Sequence, residues 1–227
     1  MKIPLTKYGW PQVVVWPATV LAVMTVLPVA SRAFSPPWAI VLAEVVLGVV
    51  LVWILSFFRD PRRCYPSDSS VLLAPADGRV TSIELLQEDN FIGGSALRIG
   101  IFLSIFDTHI NRAPCKVRVE KVTYKRGKYR NAMDPDSSRV NESNDLGLVR
   151  TDEPRDRLIV RQISGAIARR IVCRVSQGQE LAGGEEFGMI KFGSRTELYL
   201  TARENAKCLV RIGDKVKAGL TPLVRYE

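Results

Sequence analysis

The sequence predicts a mainly β fold: a barrel-sandwich-hybrid-like domain with one or two short helices, preceded by an N-terminal transmembrane helical hairpin. Three observations predict it. Two long runs near the start are almost free of charge. From Val71 onward, short stretches alternate apolar and polar residues between glycines, prolines and charged turns. Gly213-Asp214-Lys215-Val216-Lys217-Ala218-Gly219 has the form of a lipoyl-type hairpin turn, and Gln177-Gly178-Gln179-Glu180-Leu181-Ala182-Gly183 is a weaker copy. Period-two alternation marks half-buried strands, and short strands at such spacing mark a barrel or sandwich.

The apolar runs cover Val13–Ala30, broken only by Thr19 and Thr25, and Trp38–Phe58, broken only by Glu44 and Ser56. Each matches the length that crosses a hydrocarbon core of about 30 Å. The short link through Ser31, Arg32, Phe34, Ser35, Pro36 and Pro37 forces a hairpin, which leaves both flanks on one side. Lys2 and Lys7 before the pair, and Arg59, Arg62 and Arg63 after it, outnumber Arg32 in the loop, which predicts a cell-membrane protein with its soluble domain in the cytoplasm. Pro17 and Pro28 predict a kink or partial re-entry of the first segment, and Glu44 calls for a partner or an interface. Trp10, Trp16 and Trp38 suit interfacial belts. The expected organisation is an anchor over 1–58 and a β domain over 59–227, with Arg59-Asp60-Pro61-Arg62-Arg63 as a topological flank.

Only four charged side chains, Lys2, Lys7, Arg32 and Glu44, fall in 1–58; the other 29 Lys+Arg and 22 Asp+Glu lie in 59–227, which carries +7 of the chain's +9. A basic domain beside a membrane is drawn to anionic lipid. No nucleic acid is expected as partner, because no basic run is interleaved with aromatics and no nucleic-acid motif is present. Cys64, Cys115, Cys173 and Cys208 are scattered without metal-ligand spacing and read as reduced thiols. With one histidine in the chain, no metal site is expected and a zinc peptidase is set aside.

Strands are expected at Arg79–Leu85, Ser95–Ser104, Lys116–Tyr124, Leu158–Ser164, Val172–Val175, Met189–Phe192, Thr196–Ala202, Lys207–Ile212 and Leu220–Tyr226. Ile163, Ile167 and Ile171 at four-residue spacing predict a helix around Gly165–Arg170. Lys125–Asp156 is the longest polar stretch, and a loop of that length either borders a site or is simply a mobile surface.

The oddity is Gly193-Ser194, which interrupts two alternating runs where a continuous strand or a proper turn would be expected. The ordinary meaning of such a pair is a bulge with a solvated serine. Equally, a lone histidine is more often structural, and Ala76-Asp77-Gly78 is an ordinary turn. Their company changes the reading. FFRDPRR at Phe57–Arg63, APADGRV at Ala74–Val80, FDTHINRAP at Phe106–Pro114, GKYRNA at Gly127–Ala132, QISGAIARRIV at Gln162–Val172 and FGMIKFGSR at Phe187–Arg195 stand in one order. Together these six blocks resemble the phosphatidylserine decarboxylase proenzymes, in their short bacterial and archaeal form. The more familiar bacterial members carry Leu-Gly-Ser-Thr where this chain has Phe192-Gly193-Ser194-Arg195.

The resemblance implies pyruvoyl-dependent decarboxylation of phosphatidylserine to phosphatidylethanolamine, or of an ether-linked archaeal counterpart, after cleavage at Gly193-Ser194. Ser194 attacks the Gly193 carbonyl to form an ester. Elimination then frees a large chain, 1–193, and the residue left at 194 hydrolyses to a pyruvoyl cap on a small chain, 194–227. The two form a heterodimer, with a higher oligomer compatible, on an anionic phospholipid substrate in the membrane. The pyruvoyl group is the one cofactor and no metal is needed. The attacking hydroxyl needs a base within hydrogen-bond reach. His109 is the imidazole available, with Asp77 as first choice to orient it and Asp107 as second; His109 is also the candidate to reprotonate the decarboxylated carbon. Asn111 and Arg112 are candidates for the lipid phosphate, or else brace the His109 strand. The competing classes are a non-catalytic membrane-tethered hybrid-barrel adaptor and a soluble pyruvoyl-dependent amino-acid decarboxylase.

Overall fold

The computed structural model describes residues 4–32, 34–66, 68–134, 136–166, 170–191 and 193–227. The chain divides into two compact units, Met1–Arg62 and Arg63–Glu227.

In the first unit, helix α1 spans Gln12–Ser31 and α2 spans Pro37–Phe57. At 1.5 Å per residue each is about 30 Å long, the depth of a hydrocarbon core. Both are long and apolar enough to cross a membrane. α1 is assigned as one helix through Pro17 and Pro28, with no re-entrant break. The hydroxyls of Thr19, Thr25 and Ser31 donate to the carbonyls of Val15, Ala22 and Leu27, so no hydroxyl in the run needs water. Pro37 opens α2 at its first turn, where a missing N–H costs nothing. The two ends of the pair are tied together: Thr6 N donates to Phe58 O at 2.9 Å and Asp60 N to Pro4 O at 2.7 Å. Most valines and leucines of the pair face outward, among them Val26, Val29, Val41, Val49 and Val52. An apolar surface of that extent suits a membrane.

The second unit is mainly β. Its strands are β1 (Val71–Leu73), β2 (Gly78–Glu88), β3 (Gly94–Leu103), β4 (Ile110–Arg112), β5 (Val117–Lys125), β6 (Ser143–Arg150) and β7 (Arg157–Ile163). They continue as β8 (Ile171–Cys173), β9 (Glu180–Leu181), β10 (Glu186–Ile190), β11 (Ser194–Thr201), β12 (Ala206–Cys208), β13 (Lys215–Val216) and β14 (Pro222–Tyr226). An eight-stranded antiparallel sheet runs β13-β2-β3-β11-β7-β6-β5-β9, and two three-stranded sheets run β1-β14-β12 and β4-β10-β8. The large sheet curls into a half-barrel around a core that includes Ile99, Ile101, Leu146, Leu148, Leu158, Val160, Leu198, Leu200, Phe187 and Leu223. The two hairpin turns expected from sequence contain β13 and β9, which pair with β2 and β5 at the opposite edges of that sheet. One short helix, α3, spans Ser137–Val140.

Two expectations need correcting. The polar stretch Lys125–Asp156 is not one loop, because β6 runs through it between β5 and β7. Its polar residues find partners in place: Asp145 takes the Arg161 fork at 2.6 Å, and Asn144 donates to Gln162 at 3.1 Å. Leu146 and Leu148 fill the core on alternate positions. At the expected helix Gly165–Arg170, Ile163 and Ile171 belong to strands β7 and β8. Residues 167–169 of that helix, Phe192 of an expected strand and Lys2 of the N-terminal flank lie outside the described residues.

Candidate active site

β11 lies beside β3 with Ser194 opposite Leu103. In the neighbouring sheet β10 lies beside β4, with Met189 opposite Ile110, and Ile190 N donates to His109 O at 3.2 Å. β3 passes into β4 through residues 104–109, and β10 passes into β11 through 191–193. Two connectors therefore leave one pair of adjacent strands and enter another adjacent pair. That topology sets His109 and the Gly193-Ser194 bond at the same corner between the sheets.

The His109 connector is a tight turn. Asp107 N donates to Ser104 O at 2.9 Å, and Ser104 N donates to the Asp107 carboxylate at 2.8 Å, the local closure that aspartate offers a turn. The closed turn aims the Asp107 main-chain carbonyl at His109 Nδ1, 2.9 Å away. A carbonyl only accepts, so in the neutral ring Nδ1 carries the proton and Nε2 the lone pair. The ring is fully buried.

On the other connector, Gly193 has φ +54°, a left-handed conformation that other residues enter at a cost, and a side chain there would meet open space. Its requirement for glycine is conformational. Ser194 is fully buried and its Oγ has no hydrogen-bond partner among the described residues. Leaving a buried hydroxyl unsatisfied costs about 1–3 kcal/mol, which stability alone does not explain. The side chain is small and nearly all of its surroundings are protein, so a group of three carbons made from Ser194 itself fits where the serine stands.

Asp77 sits at the start of β2, where Gly78 presses so close to the Phe102 carbonyl that a Cβ would overlap it. The Asp77 carboxylate accepts both arms of the Arg63 guanidinium, at 2.6 and 2.7 Å, and the Ala218 N–H at 2.8 Å. Arg63, read from sequence as a topological flank, thus serves the β domain through a bidentate pair. Asn111 is fully buried in a chain of amides: its Nδ2 donates to Thr196 Oγ1 at 3.0 Å, and its Oδ1 accepts from Gln162 Nε2 at 2.9 Å. Thr196 faces the same side of β11 as Ser194, two residues on, so Asn111 fixes the strand that carries the serine. Arg112 is buried too; its guanidinium donates to Tyr65 Oη and to Gly184 O, and pairs with Glu186 at 3.0 Å.

Sequence reasoning missed Lys191, two residues before the bond. Its side chain is buried, and burial, reinforced by the nearby charges of Arg170 and Arg174, lowers its amine to about 8. Of the four cysteines, all free, Cys115 is buried and its thiol is pushed up to about 12, which keeps it inert. Among the described residues, no group of three or more histidine, cysteine or acidic side chains is placed to hold a metal.

The phosphatidylserine decarboxylase family profile matches residues 50–223. The chain belongs to the phosphatidylserine decarboxylase family. Relatives agree along its whole length. It is 40% identical over 229 residues to the phosphatidylserine decarboxylase proenzyme of Carboxydothermus hydrogenoformans, covering all of both chains. It is 41% identical over 221 residues to that of Symbiobacterium thermophilum, covering 97% of this chain and 95% of the relative. With the proenzyme of Rhodopirellula baltica the identity is 38% over 226 residues, covering 99% and 89%. As a member of the phosphatidylserine decarboxylase family the protein is an enzyme, a carboxy-lyase, and the non-catalytic adaptor is set aside.

Proposed function

We propose that this chain decarboxylates phosphatidylserine to phosphatidylethanolamine, using a pyruvoyl group that it makes from its own Ser194. The reading is carried by one observation: a buried serine hydroxyl without a hydrogen-bond partner, following a left-handed glycine, at the corner that also holds the chain's one histidine.

In maturation, Ser194 Oγ gives its proton to His109 Nε2 and attacks the Gly193 carbonyl carbon. The Oγ–C bond forms, the amide C–N bond breaks, and the nitrogen takes up the proton. Loss of the Cα proton of residue 194 then breaks its Cβ–Oγ bond and releases residues 1–193 with a free carboxylate. In the enamine left at residue 194 a proton shifts from nitrogen to the CH2 carbon, and one water then replaces nitrogen by oxygen and frees ammonia. When present, the resulting ketone supplies an electron sink that condenses with the serine amine of the lipid and lets carbon dioxide depart. His109 Nε2, having taken a proton from the lipid's ammonium group, then gives it to the carbon that lost carbon dioxide. The Asp107 carbonyl keeps Nδ1 as the N–H, so that Nε2 presents its lone pair to accept each proton it passes on, while Asp77, the first choice to orient His109, has its carboxylate on Arg63 and the Ala218 N–H. Asn111 and Arg112, whose side chains are engaged by Thr196, Gln162, Tyr65, Gly184 and Glu186, brace the strand that follows His109. The lipid phosphate and the basic domain attract each other, and the excess of basic residues flanking α1 and α2 supports a cytoplasmic side for that domain.

Intact-mass measurement tests the reading. The purified protein should separate under denaturing conditions into chains 1–193 and 194–227, the smaller blocked at its N-terminus and heavier by two hydrogens after borohydride treatment. Ser194→Ala should remain one chain, and His109→Ala should mature at most slowly. A wild-type sample that is wholly uncut yet releases carbon dioxide from phosphatidylserine defeats the proposal.

A further inference from the structure

Two of the sequence blocks, GKYRNA and QISGAIARRIV, contribute none of the residues that act above. They meet the scissile bond through Gly165. A Cβ placed on Gly165 would overlap the carbonyl oxygen of Gly193 and stand 3.0 Å from its carbon and 3.3 Å from Ala132 Cβ. The bare Cα of Gly165 is therefore in contact with the very carbonyl that maturation consumes.

That contact has a rigid back. The preceding residue, Ser164, is fully buried and held by three bonds: its N and Oγ donate to Glu142 O at 2.9 and 3.1 Å, and its carbonyl accepts from Asn141 Nδ2 at 2.8 Å. Asn141 is itself fixed, since its side chain exchanges two 2.9 Å hydrogen bonds with the main chain of Arg130. Gly127 lies so near the Asn141 backbone that a Cβ there would overlap it. A side chain at 165 could not be relieved by withdrawal of this wall. The side with room to give is Gly193, which has open space where a Cβ would stand.

We propose that Gly165 is a positioning residue for self-cleavage: it seats the Gly193 carbonyl and sets the angle at which the Ser194 hydroxyl meets that carbon. Any side chain turns the peptide plane away from attack, and an error of about 1 Å in such a step is enough for a 100-fold loss of rate. The inference rests on the self-cleavage reading.

Gly165→Ala in the full chain tests it. The expected result is at least a 100-fold slower cleavage with a melting temperature within a few degrees of the Ser194→Ala precursor. Hydroxylamine splits an ester but leaves an amide intact, so adding it to the uncut Gly165→Ala chain should release nothing, because the first attack is what fails. Release of 1–193 as a hydroxamate would place the defect after the attack and overturn the proposal. Cleavage at the wild-type rate would do the same. Ala132→Gly combined with Gly165→Ala separates crowding from seating: the double variant should stay uncut, and recovery of cleavage would assign the effect to Ala132. If neither variant folds, Gly165 is a residue of the fold and the proposal is lost. Failure of the wild-type protein to cut would instead remove the reading beneath it.

Discussion

Gly193 and Gly165 meet at the same carbonyl, yet they are glycines for different physical reasons. At Gly193 the space is open and φ is +54°, so a methyl group costs only backbone energy, about 1–2 kcal/mol. Gly193→Ala should therefore fold and cut, with cleavage slowed by about five- to thirtyfold, and a time course of denaturing gels measures this. Lys191 adds a pH signature nearby. Burial first, then Arg170 and Arg174, lowers its amine from 10.5 to about 8, so the unfolded chain binds more protons than the folded one above about pH 8. Stability then rises with pH from about 8. The Cys115 thiol acts oppositely, because its folded value of about 12 lies above the ordinary 9.0, and stability is lost once unfolded thiols ionise beyond pH 9. Urea midpoints should climb between pH 8 and 9 and flatten above it. In Lys191→Met the climb should disappear.

In the proposed maturation, strand β11 is the element on which both precursor and product depend, and its two faces do different work. Ser194, Thr196, Leu198 and Leu200 share one face, with the leucines in the core; Arg195, Glu197 and Tyr199 share the other. On that second face Arg195 donates to Glu197 at 2.8 Å, to Thr81 at 3.2 Å and to Ser82 at 2.7 Å, and Tyr199 donates to Glu197 at 2.7 Å. Arg195 would be the first residue after the new chain end, so this cluster holds that end on β2 and β3 after the bond is broken. Arg195→Met leaves Glu197 buried with less compensation, at a cost of about 3–5 kcal/mol by the usual penalty for halving a buried pair. Urea unfolding of the Ser194→Ala precursor with and without the substitution measures it, and adding Glu197→Gln should recover part of the loss. The strand itself was legible from its alternation; the polar network was not, because glutamate and arginine two residues apart on an exposed face would read the same way.

Across the whole β unit, residues 194–227 are woven into the rest of the chain. β11 lies between β3 and β7, β13 pairs with β2, and β14 lies between β1 and β12. Leu198, Leu200, Val216, Leu223 and Val224 are all buried, at about 1.5–3 kcal/mol each. After cleavage the two chains should elute together on size exclusion in detergent at 1 M salt and part only in denaturant; separation by salt alone would contradict this packing. The unit also carries an internal echo. Gly178 and Gly184 in one hairpin turn, like Gly213 and Gly219 in the other, have positive φ six residues apart, and both second glycines pack against Tyr65. The sequence by itself determined the hairpin helices, the β class, the two turns and the Gly193-Ser194 oddity, because apolar length, period-two alternation and glycine placement are local properties of the chain. Only the tertiary structure decided that β6 crosses the polar stretch, that Arg63 rather than a nearer residue forks Asp77, and that Gly165 abuts the Gly193 carbonyl. Those relations join residues 14 to 28 positions apart or more, and nothing in a local pattern encodes which distant partner will neutralise a buried charge or leave room for a carbonyl.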